Sequence, residues 1–508
     1  MTTQILLQHG TVLAHQADDT VKALHDTDIL VTNDKITAID ASIEPPAGAR
    51  VIDCTNKIMS PGLISTHNHL WQTQLKGRHA DHSLFQYIAT GNMQSYNYSP
   101  SDIYLGQLAG AMESVDAGTT TVCDHAHGCY TAEHAEECLR ATVASGVRAV
   151  LALAPATRLR RWDKEMCEAD SDFLPEWTLE VVEKWAKLGA EADGGIEGRV
   201  KAGLGFDLLF LPEETLRGIW QRMAKAGVQL ITSHVMRNAL VGQDSKVGMM
   251  EEYGLLDHKS FCTTSEKDEK SIPRWLISHG NRLEPEDLEL LAKRDVYIST
   301  TTETEAQMGH GNAAAFEPQT IHNACLGVDC HSNNSSSILS VARTLLQCKR
   351  QEVNARVLEQ EKSPKTVKGT TAEVFNMATI QGARALGLGD SIGSLAVGKK
   401  ADIVVFDSGN SPSMLCADVY DPVIAVVRHS EVRDVEIVII DGIIRKEAGK
   451  LCDLEIDGKK TSWKEVARET KRSQREIEKR IEGVSMQKAE ELFVKMFQMD
   501  MTKIVPVD

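Results

Sequence analysis

The sequence lacks several features that mark whole classes of protein. Its eleven cysteines include no C-x-x-C pair, so we expect reduced thiols rather than a disulfide framework or a zinc ribbon. It contains no run of about 18 apolar residues, the length that a membrane-spanning helix needs. The first residues, MTTQILLQHG, lack the basic segment and the apolar block of a secretory signal. We therefore expect a cytoplasmic protein with no membrane partner.

Positive charge is also scarce. Lysine and arginine number 55 against 72 aspartates and glutamates, which gives a net charge of -17. Because binding to nucleic acid requires clustered cations, we predict no nucleic-acid partner. The length of 508 residues and the apolar fraction of 42% are typical of a globular protein large enough for more than one domain.

Both ends of the chain show the pattern of short β-strands. Residues 1–58 contain ILLQHGTVLA, DILVTNDKITAID and RVIDCTNKIM, which are rich in isoleucine, valine and threonine and bounded by turn residues. Similar segments, GSLAVGKKADIVVFD and EIVIIDGIIRKEAGKL, occur within residues 389–456. The simplest arrangement is one small β-sandwich that is built from both chain ends.

The central region has a different pattern. From Ser60 to about residue 330, short apolar runs alternate with amphipathic segments of helical length such as SPSDIYLGQLAGAMESVDAG. The runs are Leu63–Thr66, Thr119–Val122, Ala149–Leu153, Val200–Gly205, Val228–Ser233, Trp275–Ser278, Val296–Thr300 and Cys325–Val328. This alternation predicts an α/β fold, in which residues 59–388 form a parallel (β/α)8 TIM barrel inserted into the β-sandwich.

The C-terminal segment, residues 457–508, is charged and has a helical pattern without strand signals. We predict a helical C-terminal extension that docks on the barrel or on a second subunit. A homo-oligomer, either a dimer or a tetramer, is expected.

Histidines and an aspartate follow several of the predicted barrel strands. His67 and His69 come directly after the first strand, and residues two apart on an extended chain face the same side. His234 follows the fifth strand, His279 the sixth and Asp329 the eighth. The carboxyl ends of barrel strands meet at one mouth, where the chemistry of such folds takes place. Imidazoles and a carboxylate suit zinc, with Fe(II) as the alternative. Because no lysine follows the fourth strand to bridge a second ion, we predict one divalent metal ion.

Several longer motifs resemble those of a known family. PGLISTHNHLWQTQLKGRHADHSL, AGTTTVCDHAH, LGVDCHSNNSSS and IGSLAVGKKADIVVFD are similar to motifs of the amidohydrolase superfamily, in particular of its cytosine deaminase and atrazine chlorohydrolase branch. The resemblance covers residues 1 to about 452 and leaves out the tail.

The resemblance implies roles for five residues. It assigns His67, His69, His234 and Asp329 to the metal and places His279 beside the reacting atom. The chemistry of these groups agrees with that assignment. Bound zinc lowers the pKa of a water ligand to about 7. Asp329 can accept the proton of that water and pass it to the leaving group. His279 can donate a hydrogen bond to the developing negative charge.

Other polar residues are candidates for contact with a substrate. His125 and His127 follow the second strand and are expected to line the pocket, although each could instead make a structural hydrogen bond. Gln72 matches a pocket position of the branch. Glu303 and Glu305 follow the seventh strand and face either the pocket or the solvent. We expect Glu303 to contact the substrate.

The segment ITSHVMRNAL departs from the branch pattern. In the hydrolytic branch, a glutamate three residues after the strand-five histidine protonates a ring nitrogen of the substrate. Arg237 stands at that position here, and arginine cannot carry that proton at physiological pH. It could bind a substrate carboxylate or phosphate, or stabilise an oxyanion. Alternatively it could point away into a salt bridge, in which case Glu303 or Glu305 would serve as the acid that protonates the substrate. We expect Arg237 to face the pocket and recognise an anionic or strongly polar carbonyl group.

These observations predict a mononuclear metal-dependent hydrolase that acts on a small molecule. The bond cleaved is a non-peptide carbon–nitrogen bond in a cyclic amide, an amidine or a ring amine. One alternative is a non-hydrolytic lyase, a decarboxylase or hydratase, in which Arg237 holds an acidic substrate. Another is a catalytically inactive binding protein on the same fold, against which the intact set of histidines and Asp329 argues.

Overall fold

A computed structural model describes residues 2–191, 195–257 and 273–507 of the chain. The chain begins with five strands. These are β1 Gln4–His15, β2 Val21–Thr32, β3 Lys35–Asp40, β4 Arg50–Asp53 and β5 Ile58–Pro61.

The next ten described strands contain the barrel. Eight of them pair in parallel, each with its neighbour in the chain order: β6 Leu63–Asn68, β7 Thr119–Ala126, β8 Arg148–Leu153, β11 Val200–Gly205, β12 Leu230–Val235, β13 Arg274–His279, β14 Tyr297–Thr300 and β15 Ala324–Leu326. The other two form an antiparallel hairpin, β9 Leu159–Trp162 with β10 Cys167–Ala169.

The barrel closes where its last strand meets its first. The backbone N–H of Asp329 donates to the carbonyl of His67 at 2.9 Å. The hydroxyl of Thr66 donates to the carbonyl of Leu326 at 2.9 Å. All eight predicted apolar runs coincide with these strands, which confirms the predicted barrel. The runs are almost continuously apolar because helices cover the sheet on its outer face and side chains fill its interior.

The remaining strands of the first sheet come from the far end of the chain. They are β16 Ile403–Phe406, β17 Val435–Ile440, β18 Ile443–Glu447 and β19 Lys450–Leu451. β16 pairs antiparallel with β5, so nine described strands from both chain ends form one sheet. Val12 and Ile29 share a hydrophobic cluster with Ile403 and Ile439. The predicted β unit built from both ends is therefore confirmed, while its boundaries at residues 58, 388 and 456 stay a prediction.

A buried ion pair joins this β unit to the barrel. The guanidinium of Arg148, at the start of β8, donates to Asp402 at 2.7 Å and to Asp441 at 3.0 Å. The contact lies at the amino ends of the barrel strands, so the carboxyl ends stay free for a site.

Helices separate the strands as the amphipathic segments predicted. For example, α2 begins with Ser99 as its N-cap and Pro100 at its first position, and it buries Ile103, Met112 and Val115. The described helices of this part are α1 Leu84–Thr90, α2 Pro100–Asp116, α3 Ala132–Ser145, α4 Glu176–Ala190, α5 Glu213–Ala226, α6 Lys246–Glu252, α7 Pro285–Lys293, α8 Thr302–Gln307, α9 Ile338–Leu358, α10 Thr371–Met377, α11 Ile380–Ala385, α12 Ala417–Tyr420 and α13 Pro422–Ile424. Short 3₁₀ segments cover Leu70–Leu75, Asn92–Asn97, Ala314–Phe316, Val432–Asp434 and Met501–Lys503, and a π-helical turn covers Ala425–His429.

The C-terminal extension is helical and lies on the barrel of its own chain. It contains α14 Trp463–Ile481 and α15 Met486–Met496. Arg480 of α14 donates to Asp102 of α2 at 2.6 Å. The indole of Trp162 in β9 donates to the carbonyl of Ser485 at 2.9 Å.

One short hairpin in this region was not expected from the sequence. β20 Leu454–Ile456 pairs with β21 Lys459–Thr461. Asp457 and Gly458 make the two-residue turn, with φ values of 51° and 75°. An Asp-Gly pair favours this kind of turn, so the signal was present although the flanking strands are too short to show a pattern. Across the described helices, none combines the length and the apolarity needed to cross a membrane.

Candidate metal centre

Four barrel strands bring the predicted ligands and His279 to one mouth. β6 ends with His67 and Asn68, and His69 follows it directly. Val235 of β12 is paired with His279 of β13, which sets His234 beside the end of the neighbouring strand. Asp329 follows β15 by three residues and forms a β-bridge with Asn68. Residues far apart in the sequence therefore meet because the ends of parallel strands lie together.

The ligand atoms are spaced as a tetrahedral metal site requires. Asp329 Oδ1 lies 3.2 Å from His67 Nε2 and 3.1 Å from His69 Nε2. His234 Nε2 lies 3.3 Å from His69 Nε2. Bonds of about 2.0–2.1 Å to a tetrahedral zinc ion place neighbouring ligand atoms about 3.3–3.4 Å apart. These three spacings match those of neighbouring ligands around one ion.

The other ring nitrogens determine which nitrogen faces this centre. His69 Nδ1 lies 2.8 Å from the carbonyl oxygen of His125. A carbonyl can only accept, so Nδ1 carries the proton and Nε2 presents a lone pair. His234 Nδ1 lies 2.9 Å from the carboxylate of Asp207, with the same consequence. Two lone pairs 3.3 Å apart repel each other unless a cation stands between them, which is the arrangement that a metal ion satisfies.

The charge states also suit metal binding. Burial holds the pKa of His67 well below its usual value, so this imidazole is neutral. Burial alone would raise the pKa of Asp329, but its contacts with His67 and His69 hold it well below the usual range of a carboxyl group. His67 and Asp329 are therefore in the forms in which these side chains bind metals, a neutral imidazole and an ionised carboxylate. Burial alone would lower the pKa of His234, but the neighbouring Asp207 carboxylate raises it above the usual value.

His279 lies beside the ligand cluster. One of its ring nitrogens is within 4.8 Å of the ligand atoms of His67, His234 and Asp329. Its Nδ1 lies 3.0 Å from the hydroxyl of Thr301. Burial lowers the pKa of His279 to about 4, so the ring is neutral near pH 7.

Two residues of the cluster have unusual backbone conformations. His279 has a φ of 75° and Asp329 a φ of 64°, in the left-handed region that residues with a side chain rarely adopt. Such strain is found most often where a fold holds a functional side chain in place.

The histidines after β7 lie next to the ligands. His125 is fully buried, its Nε2 is 3.2 Å from the carboxylate of Asp207, and burial lowers its pKa to about 4. The ring of His127 lies 4.2 Å from that of His69. The structure thus brings both predicted pocket histidines to the centre, and their contact with a substrate stays a prediction.

Gln72 is buried in a hydrogen-bond network close to this centre. Its amide donates to the hydroxyl of Tyr87 at 2.7 Å, and its carbonyl accepts from the hydroxyl of Ser332 at 3.2 Å. The thiol of Cys330, next to Asp329, also lies 2.9 Å from the Tyr87 hydroxyl. Because both ends of Gln72 have partners inside the protein, it positions neighbouring side chains whether or not it contacts a substrate.

The two glutamates after β14 point in different directions. Glu303 accepts a hydrogen bond from Thr344 of α9 at 3.2 Å, and its contact with a substrate stays a prediction. Glu305 is 1% exposed, accepts from the backbone N–H of Thr301 at 2.7 Å and lies 3.7 Å from His279 Nδ1. Burial raises the pKa of Glu305 to about 7. Residues two apart on a helix lie on roughly opposite sides, which explains the difference.

Arg237 also differs from the expectation of a free guanidinium in the pocket. Its Nε donates to the carbonyl of Gln243 at 2.7 Å, and its Nη1 forms an ion pair with Glu284. The arginine side chain is 19% exposed and that of Glu284 is 58% exposed. This is the third arrangement considered from the sequence, a salt bridge, and it arises because Glu284 at the start of α7 offers a nearby carboxylate.

Sequence reasoning missed Asp207 as a functional candidate. It follows β11, the fourth barrel strand, and contacts His234 at 2.9 Å and His125 at 3.2 Å. The signal available was a single carboxylate directly after a barrel strand, in LGFDLLF. It stands in the segment after the fourth strand, where a lysine that bridges a second ion would occur.

A sequence model of the amidohydrolase family matches residues 58–445 of the chain. The chain belongs to the amidohydrolase family. The match confirms the predicted family and, with it, the predicted class of enzyme, a hydrolase that acts on carbon–nitrogen bonds. The clustered ligands agree with the metal cofactor expected for an amidohydrolase of this kind.

Relatives in the family are similar to almost the whole chain. A 5-methylthioadenosine/S-adenosylhomocysteine deaminase of Acetivibrio thermocellus is 28% identical over 470 residues, which cover 91% of this chain and 99% of that protein. A 5'-deoxyadenosine deaminase of Methanobrevibacter smithii is 27% identical over 434 residues, covering 84% of this chain and 90% of that protein.

Solved structures of the family share the fold. The zinc complex of atrazine chlorohydrolase TrzN from Arthrobacter aurescens superposes with a TM-score of 0.73 at 18% identity, covering 92% of this chain and 100% of that one. An adenosine deaminase from Xanthomonas campestris with bound zinc gives a TM-score of 0.71 at 18% identity, covering 94% of this chain and 99% of that one.

Proposed function

We propose that this protein is a mononuclear metal-dependent hydrolase that cleaves a carbon–nitrogen bond in a small heterocyclic molecule, and that zinc is its ion. The observation that carries the proposal is the spacing of four side chains. Asp329 Oδ1 lies 3.2 Å from His67 Nε2 and 3.1 Å from His69 Nε2, and His69 Nε2 lies 3.3 Å from His234 Nε2. Zinc is favoured over iron because three imidazoles and one carboxylate match its preferred ligands.

The ion, when bound, acidifies a water molecule and so supplies the nucleophile at neutral pH. Asp329 is the only carboxylate in contact with both His67 and His69 among the described residues, so it would be the base nearest to such a water. It accepts the proton and delivers it to the leaving nitrogen.

His279 acts as the electrophilic partner. The hydroxyl of Thr301 can donate to its Nδ1, which places the proton of the neutral ring on Nε2. An Nε2–H group beside the ligand cluster could donate to the atom that becomes negative as the attacked carbon turns tetrahedral, which is the carbonyl oxygen of a cyclic amide or the ring nitrogen of an amidine or ring amine.

The substrate class follows from the relatives and from Arg237. Two relatives bear the names of deaminases of adenosine derivatives, so ring amines of purine nucleosides are the first candidates. Since Arg237 is paired with Glu284, it does not supply a proton to a substrate ring, and Glu305, 3.7 Å from His279 Nδ1, is the remaining candidate for that acid. Cyclic amides and amidines, whose hydrolysis does not require that protonation, are the second candidates.

The same ion pair weakens the lyase alternative, which depended on Arg237 holding an acidic substrate group. The alternative of an inactive binding protein requires a defective centre, and the clustering of His67, His234, His279 and Asp329 argues against one.

Three further properties belong to the proposal. We propose a cytoplasmic location, which is supported by the free thiols of all ten cysteines in the described part of the chain. The net charge of -17 supports a small molecule rather than nucleic acid as the partner. The proposed dimer or tetramer is testable by light scattering of the purified protein.

The activity is tested by ammonia release from a panel of substrates. Zinc-loaded protein is incubated with 5'-deoxyadenosine, 5-methylthioadenosine, other ring amines and cyclic amides, and ring opening of the amides is followed by mass spectrometry. We expect turnover of one class that is lost on removal of the metal. Asp329→Asn should be inactive and Asp170→Asn, a surface carboxylate paired with Arg158, should be active. Release of carbon dioxide without ammonia or ring hydrolysis would contradict the proposal.

A further inference from the structure

We infer that Asp207 is a positioning residue of the metal centre, which holds His234 in the tautomer and orientation that present Nε2 to the ion. The inference rests on the proposed function, because it concerns the same ion. It assigns a role to the end of β11, a strand that provides none of the four ligands.

Asp207 contacts both the ring and the backbone of His234. Its Oδ2 lies 2.9 Å from His234 Nδ1, and its Oδ1 accepts from the backbone N–H of His234 at 2.9 Å. The hydroxyl of Ser233 donates to the same Oδ1 at 3.1 Å. The carboxylate therefore ties the ring to its own backbone, which leaves the imidazole little freedom to rotate.

The three metal histidines differ in what their Nδ1 atoms contact. His69 faces a backbone carbonyl at 2.8 Å, and His67 faces the hydroxyl of Ser278 at 2.8 Å. His234 faces a carboxylate, so it has the one negatively charged partner of the three within the described chain. A carboxylate behind an imidazole keeps the proton on Nδ1 and raises the basicity of Nε2, which strengthens the bond to a metal.

His234 needs this support more than the other two ligands do. Its side chain is 22% exposed, whereas those of His67 and His69 are 0% and 3% exposed. Packing holds the two buried rings in place. The more open ring of His234 depends on a directed contact, which Asp207 provides.

Asp207 also lies 3.2 Å from His125 Nε2, so the same atoms could in principle hold a second cation. The contact of 2.9 Å to His234 Nδ1 has the geometry of a hydrogen bond from a protonated nitrogen. A proton on Nδ1 excludes a second ion from that nitrogen. We therefore assign Asp207 the role of a positioning residue rather than of a metal ligand. The number of ions per chain is measured in the test below.

The test is metal binding rather than activity. Zinc affinity is measured by competition with a chromophoric chelator, and ion content by atomic emission, for wild type, Asp207→Asn and Asp207→Glu. We expect one ion per chain, an affinity reduced about 10- to 100-fold in Asp207→Asn, and partial recovery in Asp207→Glu. The control Asp170→Asn should bind zinc as wild type does.

Cobalt(II) substitution gives a readout that a purely structural role would not move. We expect the visible absorption bands of the cobalt protein to shift in Asp207→Asn, while the metal-free variant melts at the same temperature as metal-free wild type. If Asp207→Asn does not fold, the zinc affinity and the cobalt spectrum of Asp207→Glu still test the positioning role, because this variant keeps the negative charge and moves it by one methylene.

Two outcomes would overturn the inference. One is an Asp207→Asn protein with wild-type zinc affinity and cobalt spectrum. The other is two ions in wild type and one in the variant, which would make Asp207 a ligand. Wild-type protein that binds no metal would instead refute the proposed function itself.

Discussion

Replacement of Arg237 by alanine decides whether this side chain serves the substrate or the structure of the barrel mouth. In the structure, the guanidinium donates to the Gln243 carbonyl at 2.7 Å and pairs with Glu284, which is 58% exposed. A largely exposed ion pair contributes about 0.2–1 kcal/mol. A hydrogen bond from a charged donor adds about 1.5 kcal/mol at the low end of its range. We therefore expect Arg237→Ala to lower the free energy of unfolding by about 2 kcal/mol.

Catalysis should respond very differently. Since Arg237 makes its contacts with the protein, kcat/KM of Arg237→Ala should change by less than about twofold. Had the guanidinium held a substrate carboxylate, loss of about 1.5–3 kcal/mol would raise KM roughly 10- to 150-fold. The two values are far enough apart for steady-state kinetics on the best substrate of the panel to separate them.

A double-mutant cycle locates the effect. Glu284→Ala and the double variant, compared by chemical denaturation, should show a coupling of about 0.2–1 kcal/mol that falls as salt rises. A tenfold or larger increase in KM for Arg237→Ala, with no coupling to Glu284, would refute this reasoning and return Arg237 to the pocket.

Three further predictions follow from the centre. Asp329→Asn should keep the wild-type circular dichroism spectrum but lose at least about a hundredfold in kcat, and near-normal turnover of the zinc-loaded variant would rule out Asp329 as proton carrier. Chelation should lower the melting temperature, and added zinc at about 100 times Kd should restore about 2.7 kcal/mol; His67→Ala should not respond to zinc. Burial raises the pKa of Glu305 in the folded protein to about 7, above the pKa of a glutamate in the unfolded chain. At a pH below the unfolded-chain pKa the side chain is protonated and its contribution to the free energy of unfolding is fully present, and that contribution is lost as the pH rises through 7. The stability of wild type relative to Glu305→Gln should therefore fall between about pH 4.5 and 7, and a flat difference would contradict the buried, protonated carboxyl.

Much of the fold could be predicted from the sequence because it depends on local patterns. The eight barrel strands appear as short apolar runs, and the helices between them appear as amphipathic segments with recognisable caps. Strand ends of a parallel barrel must meet at one mouth, so His67, His69, His234, His279 and Asp329 could be grouped without coordinates.

The directions in which individual side chains point could not be predicted from the sequence. Glu303 and Glu305 occur two residues apart on one short helix, and nothing in the letters says which faces the barrel. Packing of α8 against α9 turns Glu303 to Thr344 and leaves Glu305 beside His279. The partner of the Arg237 guanidinium could not be predicted either, because Glu284 lies 47 residues away in the sequence.

The sequence by itself determined the barrel, the β unit from both chain ends and which residues are candidates for metal ligands, since these follow from periodicity and from residues at strand ends. Only the tertiary structure decided that Asp207 contacts His234, that Glu305 rather than Glu303 is buried at the centre and that Arg237 is in a salt bridge. These three results depend on distances between separate βα units. Such distances are set by how the whole barrel closes, and no local pattern records them.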